Sequence, residues 1–340
     1  MELALYFPKE GYYERPIEIG KKGDFFTSVS VGNLFGELLA FQFAEWFCEE
    51  KNAPRFQIIE AGAHDGQLGF DILTWLKKHH PQICETLEYW IVEPSEARQL
   101  RQTKLLEDFA GVYYAADFSG FSALDNCFRI IFSNELLDAM PVHRLGWDAL
   151  RKIWFEWGVA FDGTHFVWKK LSRATTIFPT LPQELLQVLP DEFVTEVCPA
   201  ATQWWMNAAN ILERGKLIGI DYGLSGDEFF SPERSKGTLR AFSRHHANSY
   251  LLESPGEQDI TAHVNFSELQ RLGERAGLKT DEFIWQRQFL TKIAEKSFSR
   301  ADDAAEWDAV RRRQFQTLIH PEHLGRGFRV LIQSRSMRLI

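Results

Sequence analysis

Glu60-Ala61-Gly62-Ala63-His64-Asp65-Gly66 follows directly on the apolar run Phe56-Gln57-Ile58-Ile59. An acid at the tip of a buried strand, then a glycine turn and a helix, is how many nucleoside-cofactor sites begin, because glycine lets backbone approach a ligand with no Cβ in the way. Tyr89-Trp90-Ile91-Val92 reads as a second strand. It ends in Glu93, placed to accept from ribose hydroxyls in a doubly wound fold. By itself the pattern fits either a dinucleotide or S-adenosylmethionine (SAM). A dinucleotide sets its pyrophosphate on the helix N-terminus, where Asp65 would repel it. SAM has no phosphate and carries a positive sulfonium and an ammonium. The acids Glu60, Asp65, Glu93 and Asp117 suit it, and His64 is tolerable beside an amino-acid moiety.

A second group, Ser133-Asn134-Glu135-Leu136-Leu137-Asp138-Ala139-Met140-Pro141, follows the apolar strand Arg129-Ile130-Ile131-Phe132. Ligands of open parallel sheets sit beyond the carboxyl ends of the strands. Glu135 and Asp138 lie three apart and share one face on a turn or helix start. Such a pair can clamp a guanidinium through charge-assisted hydrogen bonds. It is equally consistent with Asp138 capping its turn and Glu135 being a solvated acid. A third polar stretch holds Asp221-Tyr222-Gly223, Gly237-Thr238-Leu239-Arg240, His245 and Gly256 to Phe266. It follows a strand, as a substrate lid would. His320-Pro321-Glu322-His323 is expected to bind no metal: Pro321 breaks helical spacing and no third ligand suggests itself.

The elements that position these residues alternate in kind. Apolar spacing predicts helices over about 32–50, 67–79, 95–107 and 199–212. Strands are expected at 56–60, 89–93, 112–115, 129–133, 216–221, about 283–290 and 328–333. Such alternation marks a parallel sheet with crossovers. Ile153 to Leu171 interrupts it as an antiparallel hairpin turning at Asp162-Gly163, a favoured two-residue turn. Residues 224–262 read as a long loop. Asn265-x-x-Glu268 marks a helix start, and Gly277 a helix end.

Among 340 residues, 45% are hydrophobic, with 28 Phe and 11 Trp, enough for a large core. The net charge of −9 argues against nucleic-acid binding, which leaves a basic footprint. Cys48, Cys84, Cys127 and Cys198 are scattered, as reduced thiols of a cytosolic protein would be. Met1 to Lys9 shows no signal peptide, and no run approaches the roughly 18 apolar residues of a membrane span. The expectation is a cytoplasmic protein without a membrane span.

Taken in order, the segments resemble the MidA family of SAM-dependent methyltransferases, related to the mitochondrial complex I assembly factor that methylates an arginine. The resemblance rests on Gly11-Tyr12-Tyr13, Gly23-Asp24-Phe25-Phe26-Thr27-Ser28, Leu34-Phe35-Gly36-Glu37, the Glu60–Gly66 turn and Asp71-Ile72-Leu73. It continues through Val92-Glu93-Pro94-Ser95, Asn134 to Pro141, Asp221-Tyr222-Gly223, Gly237-Thr238-Leu239 and Gly256 to Phe266. His64 stands where the family's turn usually has glycine.

The resemblance implies an α/β, Rossmann-like seven-stranded class I methyltransferase fold with an antiparallel hairpin insertion and a long lid loop. It divides the chain into an N-terminal segment and helix covering the cofactor site (1–55) and a methyltransferase domain (56–340), with insertions near 145–200 and 224–262. It implies SAM cradled by Glu60, Gly62 and Gly66, its ribose held by Glu93, with Gly23, Asp24 and Thr27 contributing. Asn134, Glu135 and Asp138 would face the reacting centre. The acceptor implied is a protein arginine, a respiratory complex subunit being one candidate. Two rivals stay open: a SAM-binding assembly factor that acts by protein–protein contact, and a nicotinamide-dependent oxidoreductase.

Overall fold

Parallel strands covered on both faces read as unbroken apolar runs, and here they are. In the computed structural model β1 (Arg55–Ala61), β2 (Leu87–Val92), β3 (Val112–Ala115), β4 (Cys127–Asn134) and β5 (Gly215–Leu224) pair in parallel. Every residue of β4 is buried. β6 (Lys279–Trp285) and β7 (Phe328–Arg335) close the sheet antiparallel, in the order β6-β7-β5-β4-β1-β2-β3. The strand order reverses between β1 and β4, where a doubly wound sheet opens its ligand crevice. The structure describes residues 1–15, 27–50, 55–121, 127–172, 175–243, 246–248, 250–298, 307–321, 324–325 and 327–336.

The chain divides into two units, each assembled from three separated stretches. The wound unit is Thr27–Leu137, Trp205–Tyr222 and Gln270–Ile340; the antiparallel unit is Met1–Phe26, Asp138–Trp204 and Gly223–Leu269. A boundary near residue 55 was expected, but by packing the helix Leu34–Glu49 belongs to the wound unit. That helix is apolar on most sides, as a helix enclosed by its neighbours must be. Phe43 meets Phe132 of β4, and Phe47 meets Phe56 of β1. Gly36 lets it approach the helix Gln67–His79 closely, since a Cβ there would stand 2.5 Å from Asp71 Cβ.

The expected strand at 283–290 is corrected. It runs from Lys279 to Trp285 and gives way to the helix Gln286–Phe298. Phe289, Leu290, Ile293 and Ala294 are buried there at helical spacing, which a short apolar run cannot distinguish from a strand.

In the antiparallel unit the expected hairpin is part of a four-stranded sheet. Phe166–Lys170, Ile153–Phe161, His143–Asp148 and Val194–Val197 lie side by side in that order. Its turn has four residues rather than two: Phe161 pairs with Phe166, and Asp162 Oδ1 accepts from the Thr164 and His165 amides, both at 2.8 Å. The stretch 224–262, expected as a long loop, contains a capped turn at Gly226–Phe229 and three short antiparallel strands, Arg240–Ser243, His246–Asn248 and Asp259–Thr261. Leu5 and Tyr12 pack with Leu239, Ile260 and Ala262, so this stretch carries a core of its own. The last two residues of β5, Gly223 and Leu224, pair with Val264–Asn265.

Candidate functional site

The bend after β1 is built from backbone that ordinary side chains resist. Gly62, His64 and Gly66 take φ of +75°, +49° and +92°. A Cβ on Gly62 would meet Leu136 Cδ1 at 2.8 Å, so a side chain there would have to displace Leu136 besides bearing the left-handed conformation that glycine takes freely. His64 enters the left-handed region without that freedom, at a cost of about 1 kcal/mol. The bend is braced by Gly66 N donating to Ala63 O at 2.7 Å and by Gln102 Nε2 donating to His64 O at 2.9 Å. Asp65 is exposed and caps its own turn through the Gln67 amide.

Register carries the neighbouring acids to the same end of the sheet. Ala61 pairs with Val92, and Val92 with Ala115, so Glu60, Glu93 and Asp117 all lie at the carboxyl ends of adjacent strands. Glu60 is 2% exposed, and its Oε2 accepts from the Tyr89 hydroxyl at 2.7 Å. Burial raises its pKa from 4.5 to about 7, the Tyr89 hydrogen bond pulling the other way. Glu93 is equally buried; Oε1 accepts from the Ser95 amide and from Arg98 Nε, both at 2.9 Å. Asp117 is exposed and turns back to cap its own 3₁₀ turn through the Ser119 amide; the Ser119 hydroxyl first, and then that amide, hold its pKa below the usual value.

At the end of β4, Asn134 is buried and Glu135 takes φ +53°. Glu135 Oε1 accepts from the Ser28 amide at 3.0 Å and from Asn134 Nδ2 at 3.1 Å. Asn134 Oδ1 is buried with no partner among the described residues. Beneath the turn lies Asp221, fully buried, whose Oδ2 accepts from the Leu136 and Leu137 amides and whose Oδ1 accepts from the Tyr222 amide. Asp221 fixes the path of the chain that carries Asn134 and Glu135. Its position in a polar motif was visible in the sequence; its role as an anchor for amides was not.

Thr27 does not reach outward. Its Oγ1 accepts from the Ser30 amide, shaping the turn that presents the Ser28 amide to Glu135. Gly23, Asp24, His245, Glu322 and His323 lie outside the described residues. Asp138 is buried in the antiparallel unit, where its carbonyl accepts from the Ala262 amide. Its neighbour there is Tyr13, which donates to Asp259 Oδ1 at 2.8 Å and stacks on Tyr6 at 5.5 Å. Burial, then the charge of Asp259, raises the Tyr13 pKa well above 10, with Tyr6 and Asp138 adding to it. The Gly11-Tyr12-Tyr13 motif and Asp138 thus meet within one unit. No group of three His, Cys, Asp or Glu that could hold a metal ion occurs among the described residues.

Residues 38–284 match a family described as "Putative S-adenosyl-L-methionine-dependent methyltransferase". The chain belongs to this methyltransferase family. A superfamily member from Burkholderia thailandensis, solved with S-adenosyl-homocysteine bound, superposes with a TM-score of 0.79 at 28% identity, over 98% of this chain and 86% of that one. Two curated relatives carry the name protein arginine methyltransferase NDUFAF7, mitochondrial. The one from Danio rerio is 26% identical over 100% of this chain and 83% of its own, and the one from Homo sapiens 28% over 96% and 77%. The nicotinamide alternative falls with these matches: the cofactor of the methyltransferase is SAM. Its residues fit that group, with Gly62 clearing space, carboxylates rather than a phosphate cradle at the strand ends, and an unpaired buried acceptor on Asn134. No helix among the described residues is long and apolar enough to cross a membrane. The relatives are named mitochondrial, which lends no support to the expected cytoplasmic location.

Proposed function

We propose that this methyltransferase methylates an arginine side chain of a protein. The observation that carries this is the match, over nearly the whole chain, to relatives named protein arginine methyltransferases. A carboxylate held at the end of β4 agrees with it. SAM supplies an electrophilic methyl on a positive sulfonium. Glu60, Gly62, His64 and Gly66 would hold its methionine part and Glu93 its ribose.

Glu135 is preset for a guanidinium. The Ser28 amide and Asn134 Nδ2 fix one of its oxygens, so little side-chain freedom is lost when a cationic ligand approaches. Asn134 offers Oδ1 to an N–H of the acceptor. No strong base is needed in advance, because the guanidinium N–H becomes far more acidic as the new N–C bond forms. Aligning the two reactants can lower the barrier by about 7–11 kcal/mol. A subunit of a respiratory complex is the acceptor protein this reading favours.

The purified protein added with labelled SAM to lysate of a strain lacking it tests the proposal, read as the label that appears only on its addition. The label is expected on arginine; label on lysine or a carboxylate would overturn it. Glu135→Gln should bind SAM as the parent does and lose transfer at least tenfold. An assembly factor working only by contact would bind SAM and label nothing.

A further inference from the structure

Tyr89 sits in the middle of β2, 1% exposed, paired across the sheet with Ile58. Its hydroxyl reaches past Ile58 to the last acid of β1, donating to Glu60 Oε2 at 2.7 Å. Gly69 of the following helix closes over the pair: a Cβ there would lie 3.0 Å from Glu60 Oε2 and 3.2 Å from the Tyr89 hydroxyl. Side chain, strand and helix thus meet closely around Oε2 of one carboxylate.

We infer that Tyr89 is a positioning residue for the cofactor, holding Glu60 Oε2 so that the carboxylate stays ionised and presents Oε1 to the ammonium of SAM. The inference rests on the proposed placement of SAM at the β1 bend. A carboxylate in so dry a place tends to take up a proton. Burial is what lifts Glu60 to about 7, and the Tyr89 hydrogen bond is the influence that restrains it. Among the described residues, Asp65 in the bend and Asp71 on the helix oppose the ionisation of Glu60 with their negative charge, and Tyr114 on β3 is an uncharged phenol. Tyr89 itself is raised well above 10 by burial and by Glu60, so it remains a donor across the working range. A cationic ligand prefers the ionised acid, so affinity should rise as pH passes through the Glu60 titration and level off above it. Taking away the hydroxyl removes the restraint and moves that titration upward.

The experiment is calorimetric binding of SAM to the full chain between pH 5.5 and 8.5, for the parent, Tyr89→Phe and Glu60→Gln. Affinity is read relative to Glu60→Gln at each pH, which cancels the titration of the ligand's own ammonium. The parent should gain affinity through about pH 7. Tyr89→Phe should show the same gain about one pH unit higher, leaving it roughly fivefold weaker at pH 7, approaching tenfold below pH 6, and converging with the parent at the alkaline end. A constant loss at every pH, as mere loosening of the strand would give, overturns the inference; so does a parent profile parallel to that of Glu60→Gln. Complete absence of SAM binding in the parent would instead refute the placement of the cofactor on which the inference stands.

Discussion

In the wound unit a buried carboxylate gathers three amide hydrogens: Asp221 takes those of Leu136 and Leu137 on one oxygen and that of Tyr222 on the other. In the antiparallel unit Glu196, also buried, takes the Thr238 amide at 2.7 Å and the Thr238 hydroxyl at 3.0 Å, both on Oε2. Each acid ties a remote loop to a strand. Asp221 spreads its donors over both oxygens and organises the turn bearing Asn134 and Glu135. Glu196 concentrates its donors on one oxygen, and burial raises its pKa in spite of Thr238 and the charge of Arg144. Amide donors replace the hydration a buried carboxylate gives up. The difference teaches that at similar burial one carboxylate can be satisfied on both oxygens while another takes its donors on one, Glu196 Oε1 being left without a partner among the described residues.

Asp221→Asn should break the comparison on its strong side. The amide keeps the shape but sets an NH₂ against at least one backbone N–H, and the expected loss is about 3 kcal/mol. Urea unfolding reads it, and methyl transfer should fall with it because Asn134 and Glu135 lose their mooring. A loss below 1 kcal/mol would show that the turn is held by other means.

How much of this could be read in the chain follows the same division. The wound unit announces itself: Ile58, Ile59, Ile130 and Ile131 are fully buried in strands that their apolar runs predicted, and the helix after Gly66 has its expected bounds. Glu60, Glu93, Asn134 and Glu135 could be placed at neighbouring strand ends from the sequence because a parallel sheet delivers the carboxyl ends of its strands to one edge. What stayed hidden depends on tertiary contact. Tyr89 looks like any core aromatic, and nothing local shows its hydroxyl aimed at Glu60. Asp117 has the acidity of a ligand but spends it on the Ser119 amide. In the antiparallel unit Tyr13 and Asp259 are 246 residues apart. No periodicity joins them, so only the family resemblance brought their segments together. The stretch 224–262 read as loop because its strands are only three or four residues long.

Glu196→Gln probes the weaker side of the comparison. The glutamine carbonyl can still accept from Thr238 while no charge is buried, so at pH 7 the change should stay within about 1 kcal/mol of the parent. The pH dependence has a definite sign. A folded-state pKa above the usual 4.5 means that Glu196 favours folding at low pH and that this contribution is lost as pH rises from 4.5 through the folded value. Melting curves over that window should therefore fall less steeply with pH in Glu196→Gln than in the parent. An equally steep fall would assign the titration to another group.

The smallest effect belongs to the bend itself. His64 holds φ +49° where its side chain gains only a 3.7 Å contact with exposed Asp65, too weak to offset the conformation. His64→Gly relieves about 1 kcal/mol of strain and adds a comparable entropy to the unfolded chain, so stability should move by no more than a few tenths of a kcal/mol. Affinity for SAM is the more telling measurement. Gly62 and Gly66 already give the bend its shape, and the backbone of His64 is fixed by Gln102, so removing the imidazole should leave the dissociation constant within about threefold. A tenfold loss would mean that the imidazole itself touches the cofactor, and His64 would then be a ligand-binding side chain in a position that strain alone would assign to glycine.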